Sequence, residues 1–292
     1  MVRFVGNPIL RPIKEHVWES RYVFNSAMVM LGGRFHFFYR AMGDDMVSRI
    51  GYASSKDGYH VDERLPYPVF EPENYYETKG CEDPRLTIIG DQCIMTYTAY
   101  DGDIFQIGIS RIPIDFILKK KWEWGERIYP FPKEKNKNAV LFPNLFNGKY
   151  VMFHRLEPDI CIANSDNLRD WENSKKVMSP RPGYWDCVKV GAAGPPIELD
   201  IGWLLVYHGV DKDRIYRLGA ALFSKDKPHE LLYRSEEPIL EPNEEYEIFG
   251  LVPNVVFSCG SVLVNDNLIC SYGGADTVVG IATFKLNEIL NN

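Results

Sequence analysis

The run Arg34-Phe-His-Phe-Phe-Tyr-Arg-Ala41 returns four times in kind, as Gln92-Cys-Ile-Met-Thr-Tyr-Thr-Ala-Tyr100, Lys149-Tyr-Val-Met-Phe-His-Arg155, Trp203-Leu-Leu-Val-Tyr-His-Gly-Val210 and Asn267-Leu-Ile-Cys-Ser-Tyr-Gly273. Aligned on Tyr39, Tyr97, Phe153, Tyr207 and Tyr272, the copies are 58, 56, 54 and 65 residues apart. Aromatic and β-branched runs of this length suit strands, and a fixed period near this value marks a repeat architecture. A second series keeps the same phase at hairpin distance: Gly51-Tyr-Ala, Gly108-Ile-Ser, Cys161-Ile-Ala, Gly219-Ala-Ala and Gly280-Ile-Ala. Polar corners such as Ser54-Ser-Lys-Asp-Gly follow several of these, where Asp, Asn and Gly favour tight turns.

A third series precedes the first, at 24–31, 81–89, 138–146, 189–199 and 252–264. A fourth is short and bracketed by prolines, as in Asn7-Pro-Ile-Leu-Arg-Pro, Tyr67-Pro-Val-Phe-Glu-Pro and Glu237-Pro-Ile-Leu-Glu-Pro. Prolines belong on edge strands, so this element is expected on the outside of each unit. Its first copy stands alone at the N-terminus while the last unit runs out near Leu290. Residues 7 to 12 are therefore expected to supply the last unit's outer strand. Four strands per unit, five units and a wrapped closure predict an all-β, five-bladed β-propeller forming a single domain over residues 1–292. A β-sandwich with accidental spacing is the weaker alternative. The lysine-rich stretch from Lys119 to Lys137 reads as a solvated connector, with an oligomer contact or a lid as other readings.

Composition narrows the function. The 292 residues are 45% hydrophobic and 25% charged, ordinary for a globular chain with a core. With 40 acidic against 33 basic side chains, the net charge of −7 offers no general footprint for nucleic acid. No leader-like opening and no run of about 18 apolar residues appears, so a cytoplasmic protein without a membrane partner is expected. The six cysteines, Cys81, Cys93, Cys161, Cys187, Cys259 and Cys270, lack C-x-x-C spacing, and neither a zinc site nor a disulfide framework is indicated.

Innermost propeller strands line a central channel, so polar residues at strand ends converge there. The third series contributes Asn25, Asp83, Lys189 and Asn254; the first adds Arg40, Asp101, His154, Arg155, His208 and Asp276. Charges in apolar runs are costly to bury without a partner, which makes these positions candidates for chemistry. Asp83, between Glu82 and Arg85, is either a turn residue paired with Arg85 or a general acid. Glycoside cleavage ordinarily needs two carboxylates, but one suffices if phosphate is the attacking group. Phosphate would require cations, and Arg155, Lys189 and His208 are the channel candidates. No G-x-x-x-x-G-K-[ST] loop is present.

Five motifs in order, Gly80-Cys-Glu-Asp-Pro-Arg85, Leu141-Phe-Pro-Asn, Phe153-His-Arg155, Lys189-Val-Gly-Ala-Ala-Gly-Pro-Pro196 and Tyr207-His-Gly209, resemble glycoside hydrolase family 130, the β-mannoside phosphorylases and related β-mannosidases. The resemblance spans nearly the whole chain. It implies inverting phosphorolysis of a short β-mannoside, β-1,2-mannobiose foremost, giving α-mannose 1-phosphate, with inorganic phosphate as co-substrate and no other cofactor. Asp83 matches the family's single catalytic Asp, which is thought to protonate the leaving oxygen through a hydroxyl of the mannose. Arg155 and Lys189 match phosphate-binding positions, and His208 is a further one. Many relatives carry an arginine just upstream of Leu-Phe-Pro, where this chain has Lys135 and Lys137; a lysine keeps the charge and loses the bidentate fork. Asn25, Arg40, Arg49 and Asp276 resemble sugar-contacting positions. A β-mannosidase using water and a second carboxylate (Glu82, Asp186 or Asp276) is the nearest rival, and a non-catalytic sugar-binding propeller the rival from another class. A homo-oligomer is left open.

Overall fold

The computed structural model describes residues 1–290. The last two residues of the expected 1–292 domain lie outside the described residues. Blade 1 is built from Tyr22–Leu31, Arg34–Met42, Arg49–Ser55 and Val61–Arg64, each antiparallel to the next. Blade 2 has Gly80–Ile89, Gln92–Tyr100 and Phe105–Pro113. Blade 3 has Lys137–Leu141, Tyr150–Leu156, Asp159–Ser165 and Glu172–Met178. Blade 4 has Lys189–Ala192, Gly202–Val210, Tyr216–Phe223 and Leu231–Arg234, with Ile197–Leu199 adding to the second strand. Blade 5 has Val256–Val264, Asn267–Gly274 and Val278–Lys285, and its outer strand is Val2–Arg3. The protein is a five-bladed β-propeller, and the N-terminus closes the ring. Among the described residues no helix is long and apolar enough to cross a membrane.

The proline-bracketed series is not the fourth strand. Leu10, Phe70 and Leu240 each make a single bridge to the third strand of a blade, at Val279, Ile50 and Leu218. The outer strands proper lie elsewhere, because proline lacks the N–H that a continued ladder needs. The closing strand is Val2 and Arg3 opposite Thr283 and Ala282, and residues 7–10 are hydrogen-bonded to the same blade without forming a strand: Ile9 N and Leu10 N donate to Val279 O, Leu10 O accepts from Val279 N, and Asn7 donates from Nδ2 to Ile281 O and accepts from Ile281 N.

The core lies between neighbouring blades, whose faces pack as sheet on sheet. Phe38, Tyr52, Met95 and Tyr97 fill the space between blades 1 and 2, and Phe142, Phe153, Trp203 and Phe223 that between blades 3 and 4. Phe37, Tyr39, Ile269 and Ile281 join blade 5 to blade 1. Each such side chain contributes about 1.5–3 kcal/mol on burial. The stretch after blade 2 is only in part a solvated connector, its lysines from 119 to 135 being exposed while its tryptophans pack inward. Trp122 packs on Tyr52 at a centroid distance of 4.8 Å, Trp124 packs on Phe70 at 5.3 Å, and Trp124 Nε1 donates to Val69 O. The segment stands in for the outer strand that blade 2 lacks.

The aligned tyrosines anchor a polar cluster that recurs in four blades. Tyr39 donates to Glu19 with Arg64 beside it, Tyr97 to Glu77 with Arg127, Tyr207 to Asp186 with Arg234, and Tyr272 to Glu247 with Arg3. Each carboxylate is buried and stands just before its blade's inner strand, so paired charge fastens the connector to the blade. In blade 5 the arginine comes from the opposite end of the chain. Blade 3 has Phe153 in this place and no such cluster. The glycines of the second series follow from the same device: a Cβ at Gly108 would stand 2.3 Å from Tyr97.

Candidate active site

Inner strands carry the site because of a defect they share. Asn25, Asp83, Asn138 and Asn254 all adopt left-handed backbone, with φ of 48°, 51°, 54° and 59°. Asn and Asp tolerate that region better than other side chains with a Cβ. Register with the second strand breaks at three of these positions, between Phe24 and Ala27, between Glu82 and Arg85, and opposite Asn138 between Phe153 and Arg155. Such bulges bend a strand and re-aim a side chain. The first three aim into one cavity.

That cavity, about 190 Å³, is lined by Asn25 and Arg40 from blade 1, Asp83 from blade 2, Lys137, Asn138 and Arg155 from blade 3, and Lys189 and Tyr216 from blade 4. Val252, Val255, Phe257 and Asp276 from blade 5 complete it. Four cations therefore face two carboxylates. Asp83 Oδ1 accepts from Asn25 Nδ2 at 2.9 Å and from Arg40 Nη1 at 3.3 Å. Arg40 is held in place by Ser48 Oγ, 2.8 Å from its Nε, and by Glu82, 2.8 Å from its Nη2. Burial raises the Asp83 carboxyl, yet Arg40, Arg85 and Lys137 outweigh it, and the group sits below its ordinary value. Asp276 goes the other way. Burial, with Asp83 and Glu82 nearby, pushes it up to about 7 against the pull of Arg40 and Lys137, and it forms no ion pair among the described residues.

The cations divide into compensated and uncompensated. Lys137 Nζ lies 3.7 Å from Glu82 Oε2, and burial lowers its ammonium. Arg155 is buried with no carboxylate in contact; its Nη1 stands 3.5 Å from His208 Nε2, and burial lowers the guanidinium. Lys189 lies 3.8 Å from Glu157, whose side chain is largely exposed. His208 is fully buried against Phe257 and Tyr216, and burial together with Arg155, Arg85 and Lys189 holds it neutral, well below its ordinary value. It backs Arg155 from outside the lining.

The sequence expectations sort accordingly. Asp83, Arg155, Lys189, Lys137, Asn25, Arg40 and Asp276 meet in one cavity. Arg49 does not join them: it pairs with Asp45 at 2.9 Å and reaches toward Glu71 at 3.7 Å. Lys135 is exposed while Lys137 lines the wall. Asp101 caps a turn by accepting from Asp103 N and Ile104 N. His154 is buried beside Asn136, Ser174 and Phe131, and burial lowers it to about 4. Asp186 is committed to Tyr207, Arg181 and Arg234. Two contributors escaped the sequence reading. Asn138 Oδ1 is buried without a partner, and Arg85 donates to Ala193 O and Asp83 O with Nη2 unpaired. The signal for Asn138 was its phase with Asn25 and Asp83 at the start of the inner strands. Among the described residues no group of three His, Cys, Asp or Glu is placed to hold a metal.

The chain is similar to known proteins over its whole length. The chain matches the family Glyco_hydro_130, described as beta-1,4-mannooligosaccharide phosphorylase, over residues 5–292. It is 46% identical to a beta-1,2-mannobiose phosphorylase of Thermoanaerobacter sp. (strain X514), covering 99% of this chain and 98% of that one. A 1,2-beta-oligomannan phosphorylase of the same organism is 43% identical, covering 98% of each. The beta-1,2-mannobiose phosphorylase of Listeria innocua, solved with beta-1,2-mannobiose, superposes with a TM-score of 0.85 at 28% identity, over 99% of this chain and 98% of that one. A shared five-bladed frame, the motif order along it and similarity over full length lead to one assignment: this chain belongs to glycoside hydrolase family 130.

Proposed function

We propose that the protein is an inverting β-mannoside phosphorylase whose leading substrate is β-1,2-mannobiose, which it converts with inorganic phosphate to α-mannose 1-phosphate and mannose. The observation that carries this is the cationic wall, buried at Arg155 and part-buried at Lys189 and Lys137. Arg155 and Lys189 have no buried counter-ion, and with Lys137 they face the same small cavity as Asp83. A desolvated, unpaired cation is costly, so a wall of this kind fits an anionic substrate. Arg155 offers a planar fork to two phosphate oxygens, and the lysines add point charge.

Phosphate held on this wall attacks the anomeric carbon of the mannosyl unit from the face opposite the glycosidic oxygen. A bond forms from phosphate oxygen to that carbon as the glycosidic C–O bond breaks. The departing oxygen takes the pair of electrons and the proton of Asp83, passed through a hydroxyl of the mannose. Displacement from the opposite face turns a β-linkage into an α-phosphate. Asn25, Arg40 and Asp276 hold the sugar.

The rival hydrolase would need a second carboxylate to activate water. Glu82 is committed to Arg40 and Lys137, and Asp186 to its tyrosine and arginines, which leaves Asp276, in the cavity without an ion pair among the described residues, as the one candidate a hydrolase could use. The cavity adjoins a larger cleft of about 620 Å³ that shares Lys189, Tyr216 and Val252, which supports longer acceptors as a second reading of the leaving group. Incubation with a panel of β-mannosides, the β-1,2-linked dimer and trimer included, with and without phosphate, tests both. Mannose 1-phosphate is expected only with phosphate and first from the dimer; phosphate-independent release of mannose would make the enzyme a hydrolase.

A further inference from the structure

A general acid must hold a proton, yet the surroundings of Asp83 are those of an ionised carboxylate. Its Oδ1 accepts two hydrogen bonds, one from the Arg40 guanidinium. Charged and titratable groups face it from every blade of the ring. Arg40 comes from blade 1, and Glu82 and Arg85 from its own strand. Blade 3 presents Lys137 and Arg155, blade 4 Lys189 and His208, and blade 5 Asp276 and Cys259. Glu82 answers Arg40 and Lys137. Arg155, Lys189 and Arg85 remain, the last with only backbone carbonyls as acceptors. Lys137 belongs both to the cations that keep Asp83 ionised, with Arg40 and Arg85, and to the wall that faces the cavity, with Arg155 and Lys189, and Arg155 interacts with the Asp83 charge as well.

We propose that an oxyanion and one proton enter this cavity together: occupation of the Arg155, Lys189 and Lys137 wall cancels the field on Asp83, which then takes up the proton and becomes the acid. The proposal rests on the phosphorylase reading and adds the order of events to it. The proton comes from solvent or from dihydrogen phosphate, which becomes the dianion. In the reaction it passes to the departing oxygen, and Asp83 returns to its carboxylate. Without phosphate the acid stays unarmed, so water gains no access to a catalysed route. The direction of the Asp83 shift fits this: burial raises the carboxyl, and Arg40, Arg85 and Lys137, the last of them in the wall, together outweigh it.

Sulfate is the discriminating probe, because it carries the charge and shape of phosphate but takes up no proton near neutral pH. Calorimetric titration of the full chain with sulfate at about pH 6, in two buffers of different ionisation enthalpy, counts protons taken up per anion bound. Uptake approaching about one proton is expected for the wild type and its loss in Asp83→Asn. As a check that needs no variant, wild-type affinity for sulfate should fall by up to about tenfold per pH unit over part of the range from pH 5 to 8. Sulfate binding with no buffer dependence and a flat pH profile overturns the coupling alone and leaves the phosphorylase reading standing. Uptake that survives Asp83→Asn and vanishes in Asp276→Asn assigns the proton elsewhere and also overturns it. Failure of both sulfate and phosphate to bind removes the anion site, and the phosphorylase reading falls with the proposal.

Discussion

Replacing Arg3 by alanine removes one arginine out of 292 residues and tests how the ring is closed. Arg3 Nε lies 2.8 Å and Nη2 2.9 Å from the carboxylate of Glu247, which is fully buried and also accepts from Tyr272 at 2.7 Å. The arginine side chain is 16% exposed, so the pair is screened only in part. Breaking a buried pair costs about 3–5 kcal/mol, and discounting for the exposed side leaves about 2–4 kcal/mol. At about 2–4 °C per kcal/mol for a chain of this size, the midpoint should drop by roughly 4–16 °C. Chemical and thermal denaturation measure this, with Arg64→Ala in blade 1 as the internal comparison. The sign with pH is also set: burial raises the Glu247 carboxyl, but Arg3 and the local N–H donors outweigh it and hold it below its ordinary value. Its contribution is therefore fully present above the unfolded value and is lost as pH falls through the folded one. The Arg3→Ala deficit should shrink as the medium becomes acidic. A change below about 1 kcal/mol at neutral pH would refute closure by this cluster and leave the hydrogen bonds of residues 2–10 to the last blade as the latch.

Asp83→Asn keeps shape and removes the transferable proton; turnover of β-mannoside should fall by about 10²- to 10⁴-fold with sugar binding retained, and near-normal turnover would exclude Asp83 as the acid. Arg155→Ala and Lys189→Ala should raise KM for phosphate far more than KM for the mannoside, read from initial rates with each substrate varied; equal effects on both would make these cations structural. Asp276→Asn should stabilise the fold, because a carboxyl held near 7 in the native state and lower when unfolded costs stability as pH rises between those values. Its gain should grow with pH, by up to about 1.4 kcal/mol per unit, and level off above about 7; denaturation at pH 5 and pH 8 compares the two, and a pH-independent difference would contradict it.

The blades were legible in the sequence because strand pattern is local: alternation, turn residues and a period near the length of one blade need only near neighbours. Five aligned aromatic runs thus announced five blades, and five ordered motifs announced the family. The proline-bracketed copies misled over the outer strands because a single bridge and a strand share the same composition. Trp122 and Trp124 looked like part of a polar connector because their neighbours are lysines, while their rings fill a gap that exists only where blade 2 lacks a fourth strand. The site divides in the same way. Asp83, Arg155 and Lys189 could be named from motif and strand-end position, but the sequence ranked Arg49 with Arg40 and passed over Asn138. Which side chains enter the cavity depends on bulges that turn Asn25, Asp83 and Asn138 inward and on ion pairs that draw Arg49 away to Asp45. The bulges lie within single blades and the Arg49–Asp45 pair within one loop, but the cavity they furnish exists only once the ring has closed and brought residues more than 50 positions apart to a common axis. Protonation is settled last of all: burial, with Asp83 and Glu82, raises Asp276, while Arg40, Arg85 and Lys137 overcome burial at Asp83, and these groups come from different blades, so no stretch of chain decides either carboxyl alone.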